Sequence, residues 1–168
     1  MNDSVPCTPA QRLEAAFRAI HAQRMRDLPF INERLRVEAV GFRRWEGRWL
    51  GVLITPWFMN LVLLPDAPEH WNPVPVRGQA RYEFPAGAFD FIGGHEADCG
   101  EFQSCSLFSP VFEFGAQEVA RATAEAVLAA LFDPAVREGR RPAEHNPSPA
   151  PGVSRRDVLR GRWGEPTP

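Results

Sequence analysis

The feature that most constrains this chain is a long apolar run broken near its middle, WLGVLITPWFMNLVLLP, from Trp49 to Pro65. It is too short to span a bilayer, and Gly51, Pro56 and Asn60 interrupt it. Its first part, RWLGVLI, is apolar on both faces, which predicts a central strand. Thr55-Pro56 must then interrupt pairing, because proline has no N–H for a ladder bond. A further strand runs from Met59 to Leu64 and stops at Pro65. Upstream, Glu46-Gly47 lies between two tryptophan-bearing runs and predicts a hairpin turn. Leu35, Val37 and Ala39 alternate with polar residues, as in a half-buried strand.

The other elements are ordered around this hairpin. Thr8 can cap a helix with Pro9 in its first turn. Leu13, Ala16, Phe17 and Ile20 recur at helical spacing, and Pro29 ends the helix near Leu28. DAPEHWNPVPVRG is a loop. Ala80, Tyr82 and Phe84 mark a fourth strand. Phe89 and Phe91 mark a fifth, ended by Gly93-Gly94. EFQSCSLFSP is a sixth, with Phe102 and Phe108 on one side and Cys105 and Leu107 on the other. A helix follows from about Gln117 to Phe132. Its apolar edge is Val119, Ala122, Ala126 and Ala130, joined by Val127 and Leu131. The fold expected is α+β: an antiparallel sheet of about six strands, with an N-terminal and a C-terminal helix packed on one face.

Composition divides the chain. Of its 17 prolines, many fall after Phe132. Three parts are therefore expected: a flexible N-terminus over residues 1–8, one domain over 9–132, and a disordered basic tail over 133–168. The net charge of −2 gives no case for nucleic acid or for a stable membrane association. No segment reads as a signal peptide, and three cysteines are too few and odd for a disulfide scaffold, so a cytoplasmic setting is expected.

The catalytic inventory is thin. The four histidines are scattered singly, and no nucleophile elbow, phosphate loop or dinucleotide fingerprint is present. An enzyme is not indicated, and no cofactor is implied. Cys99 and Cys105 are the candidates for redox or metal work, with His95 as a third ligand. Their C-x5-C spacing is not that of a zinc or rubredoxin site. Trp57, Phe58 and Met59 follow the strand-breaking Thr55-Pro56. They are either core residues at a strand crossover or the aromatic lining of a peptide groove beside a free backbone edge.

Taken together, WEGRWLGVLITPWFMNLVLLP and CSLFSPVFEF resemble the HybE/HupJ/HoxT family of [NiFe]-hydrogenase assembly chaperones. The likeness runs from about Pro9 to Phe132 and includes the arginine-rich tail. Its motif residues are Ile54, Thr55, Pro56 and Trp57, then Cys105, Ser106, Leu107, Ser109 and Pro110. With Phe58 and Met59 they form the candidate partner-binding set. The resemblance implies a non-catalytic chaperone. It would bind the iron–sulfur small subunit and other maturation proteins before assembly and export, with the twin-arginine signal of that subunit as a candidate element of recognition. The alternatives are a redox or iron–sulfur-handling protein using Cys99 and Cys105, and a scaffold subunit of the maturation complex.

SRRDVLRG, residues 154–161, looks like the core of such an export signal placed at the wrong end of a chain. Ser154, Arg155, Arg156, Val158 and Leu159 could fold back onto the body, arginines against acids and apolar side chains against the groove. A short capped helical turn docked for stability is the plainer reading.

Overall fold

The structure is a computed structural model and describes residues 7–138. Helix α1, Pro9–Ile20, begins on a capping box: Gln11 N donates to Thr8 Oγ1 at 3.2 Å, and Thr8 N donates to Gln11 Oε1 at 2.8 Å. One π-helical turn, His21–Met25, replaces the α-helix expected to run on to Leu28. The change comes where the apolar stripe fades.

Six strands follow: β1 (Glu38–Trp45), β2 (Arg48–Ile54), β3 (Met59–Pro65), β4 (Gln79–Phe84), β5 (Gly87–Glu96) and β6 (Gly100–Phe108). They form one sheet in the order β1-β2-β3-β6-β5-β4, antiparallel at every junction. Two three-stranded meanders therefore meet along β3 and β6. The β1–β2 hairpin turns at Glu46 (φ 46°) and Gly47 (φ 73°), as the left-handed requirement of a two-residue turn demands. β2 and β3 remain paired to their ends, Ile54 against Met59, so Thr55-Pro56 closes a hairpin rather than leaving a free backbone edge.

Helix α2, Gln117–Leu131, and α1 lie on opposite faces of the sheet, not on one face as the sequence suggests. Strand alternation is the reason: Val52, Ile54, Leu61, Leu63 and Cys105 join Ala120, Ala124, Val127, Leu128 and Leu131 in the larger core. Leu53, Val62 and Leu64 point the other way and pack with Leu13 and Phe17. Two-sided burial is what made RWLGVLI apolar throughout.

Three details depart from expectation. Helix α2 buries Gln117, Ala120, Ala124, Val127, Leu128 and Leu131, whereas Val119 is 53% exposed. Alanines at many positions blur the stripe, and the bulky Val127, Leu128 and Leu131 decide its phase. β5 continues through Gly93-Gly94 to Glu96. Gly93 does not end it; a Cβ there would collide with the Pro75 carbonyl of the strap packed over it. Finally, α3 (Pro134–Glu138) buries Val136 in the larger core, so order extends past the expected tail boundary at 133.

Glu38 ties α2 to β1. It accepts from Arg121 Nε at 2.7 Å and Nη2 at 3.2 Å, and from Gln117 Nε2 at 2.7 Å.

Candidate functional site

β3 pairs with β6, and this brings the two sequence motifs to one end of the sheet. Asn60 lies opposite Ser106, Leu61 opposite Cys105, and Met59 opposite Phe108. The register skips Leu107, which is a bulge. It turns Phe108 into the same core as Cys105 and Leu107, away from Phe102. The peptide bond from Ser109 to Pro110 is cis.

The Thr55–Phe58 turn organises itself around one hydroxyl. Thr55 Oγ1 accepts from Trp57 N at 3.2 Å and Phe58 N at 2.9 Å, and donates to Phe58 O at 3.1 Å. Thr55 N donates to Phe58 O at 2.8 Å. Thr55 is fully buried, and serine or threonine is needed here because the turn consumes both functions of the hydroxyl.

The candidate partner-binding residues separate into two kinds. Ile54, Thr55, Pro56, Met59, Cys105 and Leu107 are buried and build the scaffold. Trp57 and Phe58 are half-buried, and Ser106, Ser109 and Pro110 are exposed. Trp57 and Phe58 pack on Phe17 of α1 at ring distances of 6.4 and 5.8 Å. His21 sits 5.8 Å from the Trp57 ring.

Sequence reasoning missed Asn32. Its backbone N–H donates to Pro56 O at 2.8 Å. Its Nδ2 donates to Val111 O at 3.0 Å and to Phe114 O at 2.8 Å, and its Oδ1 accepts from Arg34 N at 3.1 Å. Asn32 therefore joins the loop after α1 to both motif segments, by its backbone N–H on one side and its side-chain amide on the other. These loops expose Leu28, Phe30 and Phe112, the last at 58%.

The cysteines do not form a pair. Cys105 belongs to the core under α2, whereas Cys99, on the β5–β6 turn, packs against the core under α1. The sheet lies between them, which removes the two-cysteine metal site and the redox reading built on it. Among the described residues no three His, Cys, Asp or Glu side chains come together to hold a metal ion. Burial, with the Glu96 and Asp98 charges, pushes the Cys99 thiol up to about 11.

On the α1 face a cleft of about 220 Å³ opens beside α1. Leu13 and Phe17 of α1, Phe58, and the sheet residues Asn60, Phe102 and Ser104 are among the residues that line it. The residues of the 154–161 motif lie outside the described part of the chain. No helix among the described residues is long and apolar enough to cross a membrane.

Fold and loop architecture define the class, a small two-sided α+β domain like the solution structure of HybE from Escherichia coli. The TM-score is 0.62 at 27% identity, covering 75% of this chain and 78% of that one. The chain belongs to the [NiFe]-hydrogenase assembly chaperone HybE family, whose model matches residues 8–161. It is 44% identical to the hydrogenase expression/formation protein HupJ of Bradyrhizobium diazoefficiens, over 91% of this chain and 88% of that protein. It is 42% identical to the protein HoxT of Cupriavidus necator, over 90% and 88% respectively. Membership in an assembly-chaperone family places the chain in hydrogenase maturation, with hydrogenase-related proteins as its partners.

Proposed function

We propose that this chain is a cytoplasmic chaperone that holds the iron–sulfur small subunit of a [NiFe] hydrogenase, together with its twin-arginine signal, until assembly and export. The observation that carries this is the loop end of the sheet. Residues 28–32, 55–58 and 109–114 are fastened to one another through Asn32, and they present Phe30, Trp57, Pro110 and Phe112 on rigid backbone. Aromatic side chains exposed on a fixed frame are the usual anchors of protein recognition. The frame lowers the ordering cost of binding, because the loops are already held.

The test is calorimetric titration with the small subunit, with and without its signal, and with the large subunit as a control. Binding of the small subunit, weakened about tenfold or more by Trp57→Ala or Phe112→Ala, is the expected result. Binding of the large subunit alone would overturn the reading. Equal binding with and without the signal would keep the subunit and remove the signal from the site.

A further inference from the structure

The two edges of the sheet are finished differently. At the β1 edge, side chains take up the outward backbone groups. Ala39 N donates to Glu14 Oε2 of α1 at 2.9 Å. Ahead of it, Gln117 of α2 accepts from Arg36 N at 2.9 Å and donates to Arg36 O at 3.4 Å, as a neighbouring strand would. A register shift between Val40 and Arg43 then bends the strand. Such devices keep an edge from pairing with another chain.

The β4 edge has none of them. Gly93 N donates to Gly78 O at 2.9 Å, and the register runs unbroken from Gln79 opposite Ile92 to Phe84 opposite Gly87. Hydrogen-bonded pairs alternate along such a ladder, so Gly78, Ala80, Tyr82 and Phe84 bond toward β5. The N–H and C=O groups of Gln79, Arg81 and Glu83 point the other way, and among the described residues nothing bonds to them. The side chains of these three residues are exposed as well. Arg81 holds Asp90 through Nε at 2.7 Å and Nη2 at 3.2 Å, which leaves Nη1 for a further acceptor.

We propose that β4 is a self-pairing edge, and that two copies of this chain join along it into one antiparallel sheet, with Tyr82 opposite Tyr82 of the second copy. Hydrogen-bond phase and charge together select this register. Only residues with outward N–H and C=O groups can exchange bonds, so odd positions must meet odd positions. Of the registers that satisfy this, one sets Arg81 against Arg81 and another sets Glu83 against Glu83, and like charges directly opposite repel. The register centred on Tyr82 sets Arg81 against Glu83 on each side of the two-fold axis. That is the self-complementary arrangement a two-fold interface requires. In it each Arg81 lies between its own Asp90 and the Glu83 of the second copy. The two loop ends fall at opposite ends of the joined sheet, so each copy keeps its own free. The inference therefore stands apart from the identity of any client.

A single strand pair is a small contact, so the dissociation constant expected is on the order of 10–100 µM, measurable by sedimentation velocity on the full-length chain. Glu83→Arg sets arginines against arginines, and Arg81→Glu sets glutamates against glutamates. Each variant alone should raise the constant about tenfold or more. Mixed in equal amounts, the two variants complement each other at both contacts and should return to within about threefold of the wild type. Glu83→Pro removes an outward N–H and leaves the β5 ladder intact, so it should abolish the dimer while circular dichroism shows an unchanged fold. Amide exchange gives a readout without substitution. The Arg81 and Glu83 N–H groups should exchange more slowly as protein concentration rises, and the Ala39 N–H should not change. A chain that stays monomeric up to about 0.5 mM would overturn the proposal. So would a dimer indifferent to both E83R and E83P, or one whose formation leaves exchange at Arg81 and Glu83 unaltered. A mixture of E83R and R81E no tighter than its separate components would overturn the Arg81–Glu83 register.

Discussion

Asn32 and Phe114 stand 82 positions apart, and the side-chain amide of the first donates to the carbonyl of the second at 2.8 Å. The same nitrogen serves Val111. Asn32→Ala would leave two buried carbonyls without this donor, at a cost of about 2–4 kcal/mol. Urea unfolding checks this. Asn32→Asp should be at least as damaging, because a carboxylate repels both carbonyls. A variant with an unchanged midpoint would show that the loops are held by something else.

The motif residues should separate by experiment as they separate by burial. Ile54→Ala and Leu107→Ala remove fully buried side chains and should cost about 2–5 kcal/mol of stability. Phe112→Ala removes an exposed one and should move stability by no more than about 0.5 kcal/mol. Partner affinity should follow the opposite order once each variant is measured fully folded. Thermal melts alongside titration report both quantities.

Thiol reactivity should fall into three classes. Cys7 is exposed, Cys99 is half-buried and Cys105 is buried. With its thiol near 11, only about one Cys99 in a thousand is thiolate at pH 8. Alkylation followed by mass spectrometry should label Cys7 first and Cys99 slowly, about tenfold faster per pH unit. Cys105 should react only when the sheet opens. Fast labelling of Cys105 in the folded chain would contradict its place in the core.

Glu38 gives a pH signature. Burial works against its charge, but hydrogen bonds from Arg121 and Gln117, and the Arg121 and Arg36 charges, outweigh it and hold the carboxyl below its usual 4.5. The stability this adds is fully present above the unfolded-state value and is lost as pH falls through the folded one. Glu38→Gln should therefore lower the urea midpoint at pH 7, and the gap from wild type should close below about pH 4.5. A gap of constant size down to pH 3 would assign the loss to packing rather than charge.

Much of the sheet was legible because its punctuation is chemical. Glu46-Gly47, Thr55-Pro56 and the capping Thr8 act locally, and each does in the fold what its residue type dictates. The placement of the helices was less legible. An apolar run buried on both faces says that both faces are covered, yet the strand pattern alone does not name the cover on each. Phe108 escaped alternation because a bulge is a tertiary event; nothing in SCSLFSP announces the extra residue. The tail boundary missed Val136 because one buried valine among prolines carries no periodicity. Asn32 was invisible for a related reason. A loop asparagine reads as a turn former, and only the folded chain shows three carbonyls waiting around it.

The seam between β3 and β6 has a consequence for timing. ITPW turns β2 into β3 within the first meander and CSLFSP ends the second, so each half of the chain carries one motif and neither carries the whole surface. The halves meet only through contacts between residues distant in sequence, which form late in folding and after most of the domain has been synthesised. The loop end is then a certificate of completion. A nascent or half-folded copy has nothing to offer a client, and a copy able to hold one has already finished its own assembly.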